Sequence, residues 1–273
     1  MYIQVLQTKY TGFPVASDKR ETMINILRIH TAAGQIAAAS PELKAELDDI
    51  VSSEFPPCDD WTRFRWQPFC LRAMARMSGY TFVGSSVSRQ EEWIAISINF
   101  AMYVFVAGAK LHLFPEWARP VAQYGVSELG KIKKCIATAG RILEPLLEEK
   151  KQIQSLASGA TTPPPKKTLL DRIVEELPEE AKWDPRTHSE LQLSAAAAAV
   201  HPTSQILCEC MYDLAAHPEV QEELRQEAHE VLETGQGWSN RDSASKLRKM
   251  DSFMREVQRF RGNMGEYTCA TST

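Results

Sequence analysis

The chain has 273 residues, 44% of them hydrophobic, with 31 basic and 35 acidic residues and a formal net charge of −4 at pH 7. These values are typical of a globular protein of one large or two modest domains, and they exclude the strongly basic surface of a nucleic-acid-binding protein. The six cysteines include no CxxC pair, which argues against a structural zinc site or a disulfide framework and favours a reducing compartment.

Nearly every periodic segment has helical spacing, so we expect a mainly α protein. Pro41 suits a first-turn position and predicts a short amphipathic helix over residues 42–54. Residues 66–77 carry apolar side chains at helical spacing and predict a second helix. Ser88, followed three residues later by Glu91, matches a capping box at the start of a third helix.

The third predicted helix contains the longest uncharged run, residues 93–109. This run is slightly shorter than the ~18 residues of a membrane-spanning helix, and the polar residues Ser97 and Asn99 interrupt it. We interpret it as a buried core helix, with contact of one face with a membrane as the alternative. Pro115 and Pro120 end this region, and the N-terminus has no apolar stretch long enough for a signal peptide or anchor.

A helix with a densely charged face is predicted over residues 126–149. The following segment, SLASGATTPPPKK at residues 155–167, is small, polar and rich in proline, so we expect an exposed surface loop. A domain boundary at this loop is the alternative. Residues 169–177 then predict a short helix.

The next helix is unusually long. Thr187 and Glu190 match a capping box at its start, and the helix should continue to about Ala216. Pro218 is suited to the first position of the helix that follows, which Gly235 should end.

The long helix contains the segment AAAAAVHPTSQ, residues 195–205. Alanine favours helix, whereas Pro202 cannot donate a hydrogen bond to the carbonyl of Ala198. That carbonyl needs another partner, which water, a ligand, or the hydroxyl of Thr203 or Ser204 could supply. Small side chains here would let a flat cofactor lie close to the backbone; a tight helix crossing that tolerates the proline is the alternative.

The last predicted helix covers residues 247–260. Its apolar face consists of Leu247, Met250, Phe253, Met254 and Val257. Glu256 and Arg259 are three residues apart on this helix, which makes an intrahelical ion pair geometrically easy. After Phe260 the periodicity stops.

Cysteine and histidine residues do not form a recognisable metal or catalytic pattern. Cys208 and Cys210 are two apart on a helix and therefore point in divergent directions, so we predict buried core cysteines. His201 has no second ligand at helical spacing, and neither His112 nor His188 belongs to a constellation. No GxSxG turn accompanies them, which argues against a hydrolase triad.

The segment LQLSAAAAAVHPTSQILCECMYDLAAHPEVQEELRQE, residues 191–227, resembles the long central helix and its successor in fungal cytochrome P450 haem-thiolate monooxygenases. KLRKMDSFMREVQRF, residues 246–260, is similar to the helix that carries the Glu-x-x-Arg motif of that family. FPPCDDW, the helix beginning EEW, PEWARPVAQYG and ILEPLLEEKK are similar to further segments in the same order. The resemblance covers about residues 1–260.

The resemblance implies roles for five residues. Thr203 matches the central-helix threonine whose hydroxyl helps deliver protons during oxygen activation, and Ser204 matches the hydroxyl residue that follows it. Ala199 matches the small residue at which this helix faces the haem, so Ala199 and Thr203 are the expected cofactor-binding residues. Glu256 and Arg259 match the Glu-x-x-Arg pair, whose role in the family is structural.

The sequence departs from the family pattern at several positions. Val200 stands where many members have glycine, and Pro202 where many have an acidic residue or threonine. Gly265-x-x-x-Cys269 reproduces part of the loop that carries the haem-ligand cysteine. The loop's other characteristic positions are occupied by Gly262, Tyr267 and Thr271. We therefore interpret Cys269 as coincidental and predict no metal ligand.

The resemblance implies a mainly α, partial cytochrome P450 fold over residues 1–260, with the loop at 155–167 exposed and a non-family tail at 261–273. We expect a chain truncated at both ends, without the N-terminal membrane anchor and the C-terminal haem-cysteine region. Full-length family members lie at the endoplasmic reticulum membrane, and this chain would be cytoplasmic or peripheral.

The implied activity is oxidation of a small apolar secondary metabolite with dioxygen and NADPH-derived electrons. Haem is the implied cofactor, and NADPH–cytochrome P450 reductase is the implied partner. Activity would be impaired here because the haem-cysteine loop is absent. The alternative is a non-catalytic, truncated helical remnant or a partner-binding fragment.

Overall fold

A computed structural model describes residues 6–11, 18–55, 57–156, 167–233, 237–238 and 242–261. Regular structure in these ranges is helical and includes no β-strand, which confirms the mainly α prediction. The helices of eight or more residues are α1 Asp18–His30, α2 Ala33–Glu54, α3 Trp66–Val83, α4 Glu91–His112, α5 Ser127–Leu156, α6 Leu169–Glu176, α7 Pro185–Ala216, α8 Pro218–Ala228 and α9 Arg248–Arg261. Shorter helical segments are Thr8–Thr11, Ser85–Ser88, Arg119–Ala122, Gln123–Gly125, His229–Glu233 and Ser243–Lys246.

The chain divides into two compact units. The first unit comprises residues 1–30 and 78–198, and the second comprises residues 31–77 and 199–273. Residues 157–166, most of the predicted loop, lie outside the described residues, as do Gly235 and the tail from residue 262 onward.

In the first unit, α4 packs against α5 and α1 packs against α6. Trp93 and Phe100 of α4 are fully buried, and Leu147 of α5 packs with Leu170 and Val174 in one hydrophobic cluster. Removing these side chains from water is the main favourable contribution to such helix packing.

Helix α4 buries one face, as predicted for a core helix, while Met102 and Phe105 on its surface are exposed. It is the single helix in the described part of the chain with the length and composition to cross a membrane. The mean hydropathy of its 18-residue window is 1.7, and half of that window is buried. These properties alone do not distinguish a core helix from a membrane span.

The core of the second unit contains Ile50 of α2, Phe69 and Cys70 of α3, and Cys208 of α7. Helix α9 packs against α8, whose Glu227 carboxylate accepts hydrogen bonds from the first backbone N–H groups of α9. An acidic side chain stabilises a helix N-terminus through these otherwise unpaired donors. This contact positions the helix that carries Glu256 and Arg259.

The predicted start of α2 was wrong. The helix begins at Ala33 and passes through Pro41, which therefore lies in its interior. Proline costs roughly 3 kcal/mol or more inside a helix. Ala37 and Ile50, on either side of the proline, are both buried, and this burial offsets the cost over the whole 22-residue helix.

The predicted capping box at Ser88 was also wrong. Ser88 ends the short helix Ser85–Ser88, and α4 begins at Glu91 after Gln90, whose side chain makes no capping hydrogen bond. Gly84, at φ +91°, provides the left-handed conformation that lets the short helix start here. Ser88 itself is buried, so its hydroxyl is not placed at the start of α4.

Helix α7 ends at Ala216 as predicted but is capped by a residue other than Thr187. It begins at Pro185, and the carboxylate of Asp184 accepts hydrogen bonds from the backbone N–H of Thr187 at 2.9 Å and from its hydroxyl at 2.6 Å. Aspartate at the cap followed by proline at the first helical position satisfies the N-terminal preferences better. A capping box that we did not predict joins Thr168 and Asp171 at the start of α6.

Candidate functional site

The turn of α7 around Pro202 does not interrupt the helix, which continues to Ala216. The hydroxyl of Thr203 donates a hydrogen bond to the carbonyl of Ala199, one turn earlier. The hydroxyl of Ser204 donates to the carbonyl of His201 at 2.9 Å. Both hydroxyls thus bond to the helix backbone, but to the carbonyls of Ala199 and His201 and not to that of Ala198, to which Pro202 cannot donate.

The two sides of this turn differ in exposure. Val200 and Ser204 are buried, at 0% and 3% exposed, whereas Pro202 and Thr203 are exposed and Ala199 is half-buried. The accessible side of the turn therefore includes the short side chains of Ala199 and Thr203, and Thr203 contributes a hydroxyl group there. The structure places the predicted pair Ala199 and Thr203 together on this side and places Ser204 on the buried side.

Glu256 and Arg259 form the ion pair predicted for α9. The Nε and Nη2 atoms of Arg259 lie 2.9 and 2.6 Å from the two carboxylate oxygens of Glu256. The hydrogen bond to Arg259 lowers the pKa of Glu256, and the same bond raises the pKa of Arg259. Both side chains are more than half exposed, so the pair contributes little to stability by itself.

Glu256 borders a groove of about 570 Å³ in the second unit. Phe253 and Val257 of α9 and Val220 of α8 supply its apolar lining. Arg261, at the end of α9, lies 2.5 Å from the carboxylate of Asp213. The pair thus stands at the edge of an open, partly apolar surface.

Cys208 and Cys210 are buried, at 2% and 7% exposed, which confirms the prediction of core cysteines. Burial, with a smaller contribution from a hydrogen bond to Cys208, raises the pKa of Cys70 to about 12. Burial also raises the pKa of Cys135. These thiols are therefore poorly suited to ionise, and ionisation is required of a metal-ligating thiolate.

The described ranges contain no group of three or more His, Cys, Asp or Glu residues arranged to hold a metal ion. Cys58 is exposed in the segment between α2 and α3. Cys269 lies outside the described residues, so its interpretation stays a prediction.

Sequence reasoning missed a buried polar pair at the start of α7. His188 and Gln192 are both 0% exposed and lie one helical turn apart. His188 was set aside because it showed no constellation with other chemically active residues. The spacing of four residues between His188 and Gln192 on a predicted helix was the available signal, whereas their burial could not be predicted from the sequence.

Comparisons with known proteins agree with the helical pattern. A family model for cytochrome P450 matches residues 43–265. Cytochrome P450 monooxygenase braC of Annulohypoxylon truncatum is 33% identical over 224 residues, which cover 80% of this chain and 43% of that protein. Cytochrome P450 monooxygenase ascG of Acremonium egyptiacum is 30% identical over 263 residues, covering 92% of this chain and 48% of that protein.

A solved structure described as retinoic acid bound cyanobacterial CYP120A1 is similar to 89% of this chain, with a TM-score of 0.63 and 16% identity. At that identity the likeness shows the fold alone. The chain spans about half of that structure and less than half of the two fungal relatives. The match covers most of the chain's length, and the chain belongs to the cytochrome P450 family.

Proposed function

We propose that this chain is part of a haem-dependent monooxygenase that inserts oxygen into a small apolar molecule. The observation that carries the proposal is the exposed turn of α7, where the hydroxyl of Thr203 stands one turn from Ala199 and bonds to its carbonyl. The names of the fungal relatives, all cytochrome P450 monooxygenases, support the same reaction class.

Haem is the family's cofactor, and the residues of this turn fit one of its faces. Ala199 and Thr203 are short enough for a flat macrocycle to approach the helix, and Val200 and Ser204 on the other side are held in the protein interior. We propose that Ala199 and Thr203 lie against the haem. Bound haem supplies the iron at which the family activates dioxygen, with electrons from a redox partner.

We propose that a residue other than the buried cysteines would supply the thiolate that holds the haem iron. Burial raises the pKa of Cys70, Cys135, Cys208 and Cys210, and a thiol that resists ionisation does not fit this role. We therefore propose that the haem-ligand cysteine of the complete protein is not among these four.

We propose that Thr203 moves a proton at its Oγ1 atom. Its hydrogen is donated to the carbonyl of Ala199, which leaves the oxygen lone pairs free to accept a hydrogen bond from the exposed side. A proton accepted there from a water molecule would be matched by loss of the hydroxyl's own hydrogen to a ligand on the exposed side, once the hydroxyl turns away from the carbonyl, so that one proton enters at Oγ1 as one leaves. Pro202 precedes this residue and carries no acidic group, so the hydroxyl itself is the proton-handling group of this turn.

The role proposed for Ser204 rests on the resemblance alone, because its hydroxyl is buried and bonded to the carbonyl of His201. We also propose that electrons come from an NADPH-linked reductase and that the complete protein works at the endoplasmic reticulum membrane. The apolar substrate class and the structural role of Glu256 and Arg259 behind the haem belong to the same proposal.

The test begins with the transcript, sequenced through the codon for Phe260 and beyond, and its product expressed with haem supplied. The reduced product should bind carbon monoxide and show the red-shifted absorption band of thiolate-ligated haem. Absence of haem uptake would overturn the proposal and favour the non-catalytic helical remnant.

A pair of variants tests Thr203 separately. Thr203→Ala should retain the absorption band but release more hydrogen peroxide per NADPH oxidised, because proton delivery is impaired. Ser194→Ala is the matched control, since Ser194 makes the same kind of hydrogen bond to a carbonyl one turn earlier on α7. Equal peroxide release by the two variants would contradict the role of Thr203.

A further inference from the structure

The first part of α7 carries two fully buried polar side chains whose hydrogen-bonding capacity is unused within the described part of the chain. His188 and Gln192 are both 0% exposed. The Nδ1 atom of His188 and both the Oε1 and Nε2 atoms of Gln192 have no hydrogen-bond partner there. The two residues are four apart on a helix and therefore share one face.

The contact of the Nε2 atom of His188 shows which ring nitrogen carries the hydrogen. The Nε2 atom lies 2.7 Å from the backbone carbonyl of Lys182, which can only accept, so Nε2 carries the hydrogen and donates it. Burial lowers the pKa of His188, so the ring is neutral at pH 7. Nδ1 is then an acceptor with a free lone pair.

A direct bond between the two side chains would not satisfy both. If the amide of Gln192 rotated to donate to Nδ1 of His188, the Oε1 acceptor of Gln192 would still lack a donor. Buried polar atoms are almost always hydrogen-bonded, because leaving them unpaired is costly. Satisfying both acceptors requires an additional group that carries an O–H hydrogen.

We propose that His188 and Gln192 form a buried site that binds one hydroxyl group, donated by a water molecule or by a hydroxyl-bearing apolar ligand. The hydroxyl hydrogen is donated to Nδ1 of His188, and the hydroxyl oxygen accepts from the Nε2–H of Gln192. A water molecule has a second hydrogen for the Oε1 atom. An alcohol has no second hydrogen, so the Nε2–H of Gln192 would instead donate to Nδ1 and the hydroxyl hydrogen to Oε1, which again satisfies both acceptors. A carboxylate is disfavoured, because its oxygens would face the lone pair of Nδ1.

The ligand form of this proposal rests on the proposed function, in which the substrate is a small apolar molecule, whereas the water form does not. Bound water and a bound ligand both predict whether a substitution of Gln192 raises or lowers the free energy of unfolding. Gln192→Met replaces the amide with an apolar side chain of similar length. If the site holds a hydroxyl, the replacement removes real hydrogen bonds; if it holds nothing, the replacement removes an unpaired polar group and stabilises the chain.

Urea unfolding of the 273-residue chain, followed by circular dichroism, measures this sign. We expect Gln192→Met to lower the urea midpoint in the absence of ligand, which supports bound water. Gln205→Met is the matched control on the same helix, because Gln205 is half-buried and donates to Glu209 at 2.6 Å. Its midpoint should change only slightly.

Two probes of equal chain length, 1-decanol and decane, distinguish the source of the hydroxyl. If a ligand supplies it, 1-decanol should raise the wild-type midpoint more than decane does, and Gln192→Met should abolish the difference. A raised midpoint in Gln192→Met together with no difference between the two probes would overturn the proposal.

A spectroscopic measurement covers the case in which the variant fails to fold. In the wild-type chain labelled with ¹⁵N-histidine, the Nδ1 resonance of His188 should have the shift of a hydrogen-bonded acceptor, and the shift of a bare nitrogen would overturn the proposal. Neither readout involves haem or turnover. Failure of haem uptake would therefore refute the proposed function and leave this result unaffected.

Discussion

Replacing Arg76 with methionine should strongly destabilise the second unit. The Nη2 and Nε atoms of Arg76 lie 2.5 and 3.0 Å from the same oxygen of Glu46, whose side chain is only 1% exposed. Removing one partner of a buried ion pair costs about 3–5 kcal/mol, because the remaining charge keeps its desolvation penalty. The contact of Arg76 with Asp49 adds less than about 1 kcal/mol, since Asp49 is 49% exposed.

We therefore expect a loss of about 3–5 kcal/mol, measured from urea unfolding curves that give both the midpoint and the slope. Lys44→Met is the matched control, on the helix that carries Glu46, because Lys44 pairs with Asp48 at 2.7 Å and both side chains are 43% or more exposed. That loss should stay below about 1 kcal/mol. Similar losses in the two variants would refute the reasoning that burial decides the strength of these pairs.

Three further changes test the packing and the charges of the first unit. Gly79→Ala should lower the thermal midpoint, because the new Cβ would lie 3.2 Å from Nε1 of Trp93. Gly130→Ala should raise the midpoint, because a Cβ at Gly130 would have nothing within 4 Å and alanine favours helix. Changes of the same sign in the two variants would contradict this reasoning. Burial and the charge of a nearby arginine lower the pKa of His30 to about 4, so the stability that it contributes is complete above pH 6.5 and is lost as the pH falls toward 4. In His30→Phe, the free energy of unfolding obtained from urea curves across this range should fall by about 2 kcal/mol less than in wild type, and parallel dependences on pH would argue against the shift. Thr168→Ala removes the side-chain cap of α6 and should cost about 1 kcal/mol in urea unfolding, whereas Thr168→Ser should not.

Hydrophobic periodicity predicted the existence and type of the helices better than their starts. The end of α7 at Ala216 and the first position of α8 at Pro218 followed from local signals that act within one turn. The starts of α2 and α7 did not, because more than one residue could serve as a cap or a first turn. At Pro41 the deciding factor was burial of residues on both sides of the proline, which local signals do not contain.

The site could be predicted only in part for a related reason. The spacing of Glu256 and Arg259 fixes their ion pair, because both lie on one helix and no tertiary contact is needed. The burial of His188 and Gln192 depends on the segments packed around them, and sequence spacing near His188 carries no information about those segments. A side chain's spacing on its helix is therefore predictable, while its solvent exposure is not.

At Pro202, the two sides of α7 differ in solvent exposure and therefore have different roles. Val200 and Ser204 are buried and hold the turn in the core, so the helix persists despite the proline. The opposite side is then free to carry short residues whose packing contributes little. Because the hydrogen of Thr203 is committed to the carbonyl of Ala199, the turn offers a hydrogen-bond acceptor to whatever covers it. The haem that we propose to lie against this turn would have to leave room for a water molecule that donates to this acceptor, because buried polar atoms are almost always hydrogen-bonded.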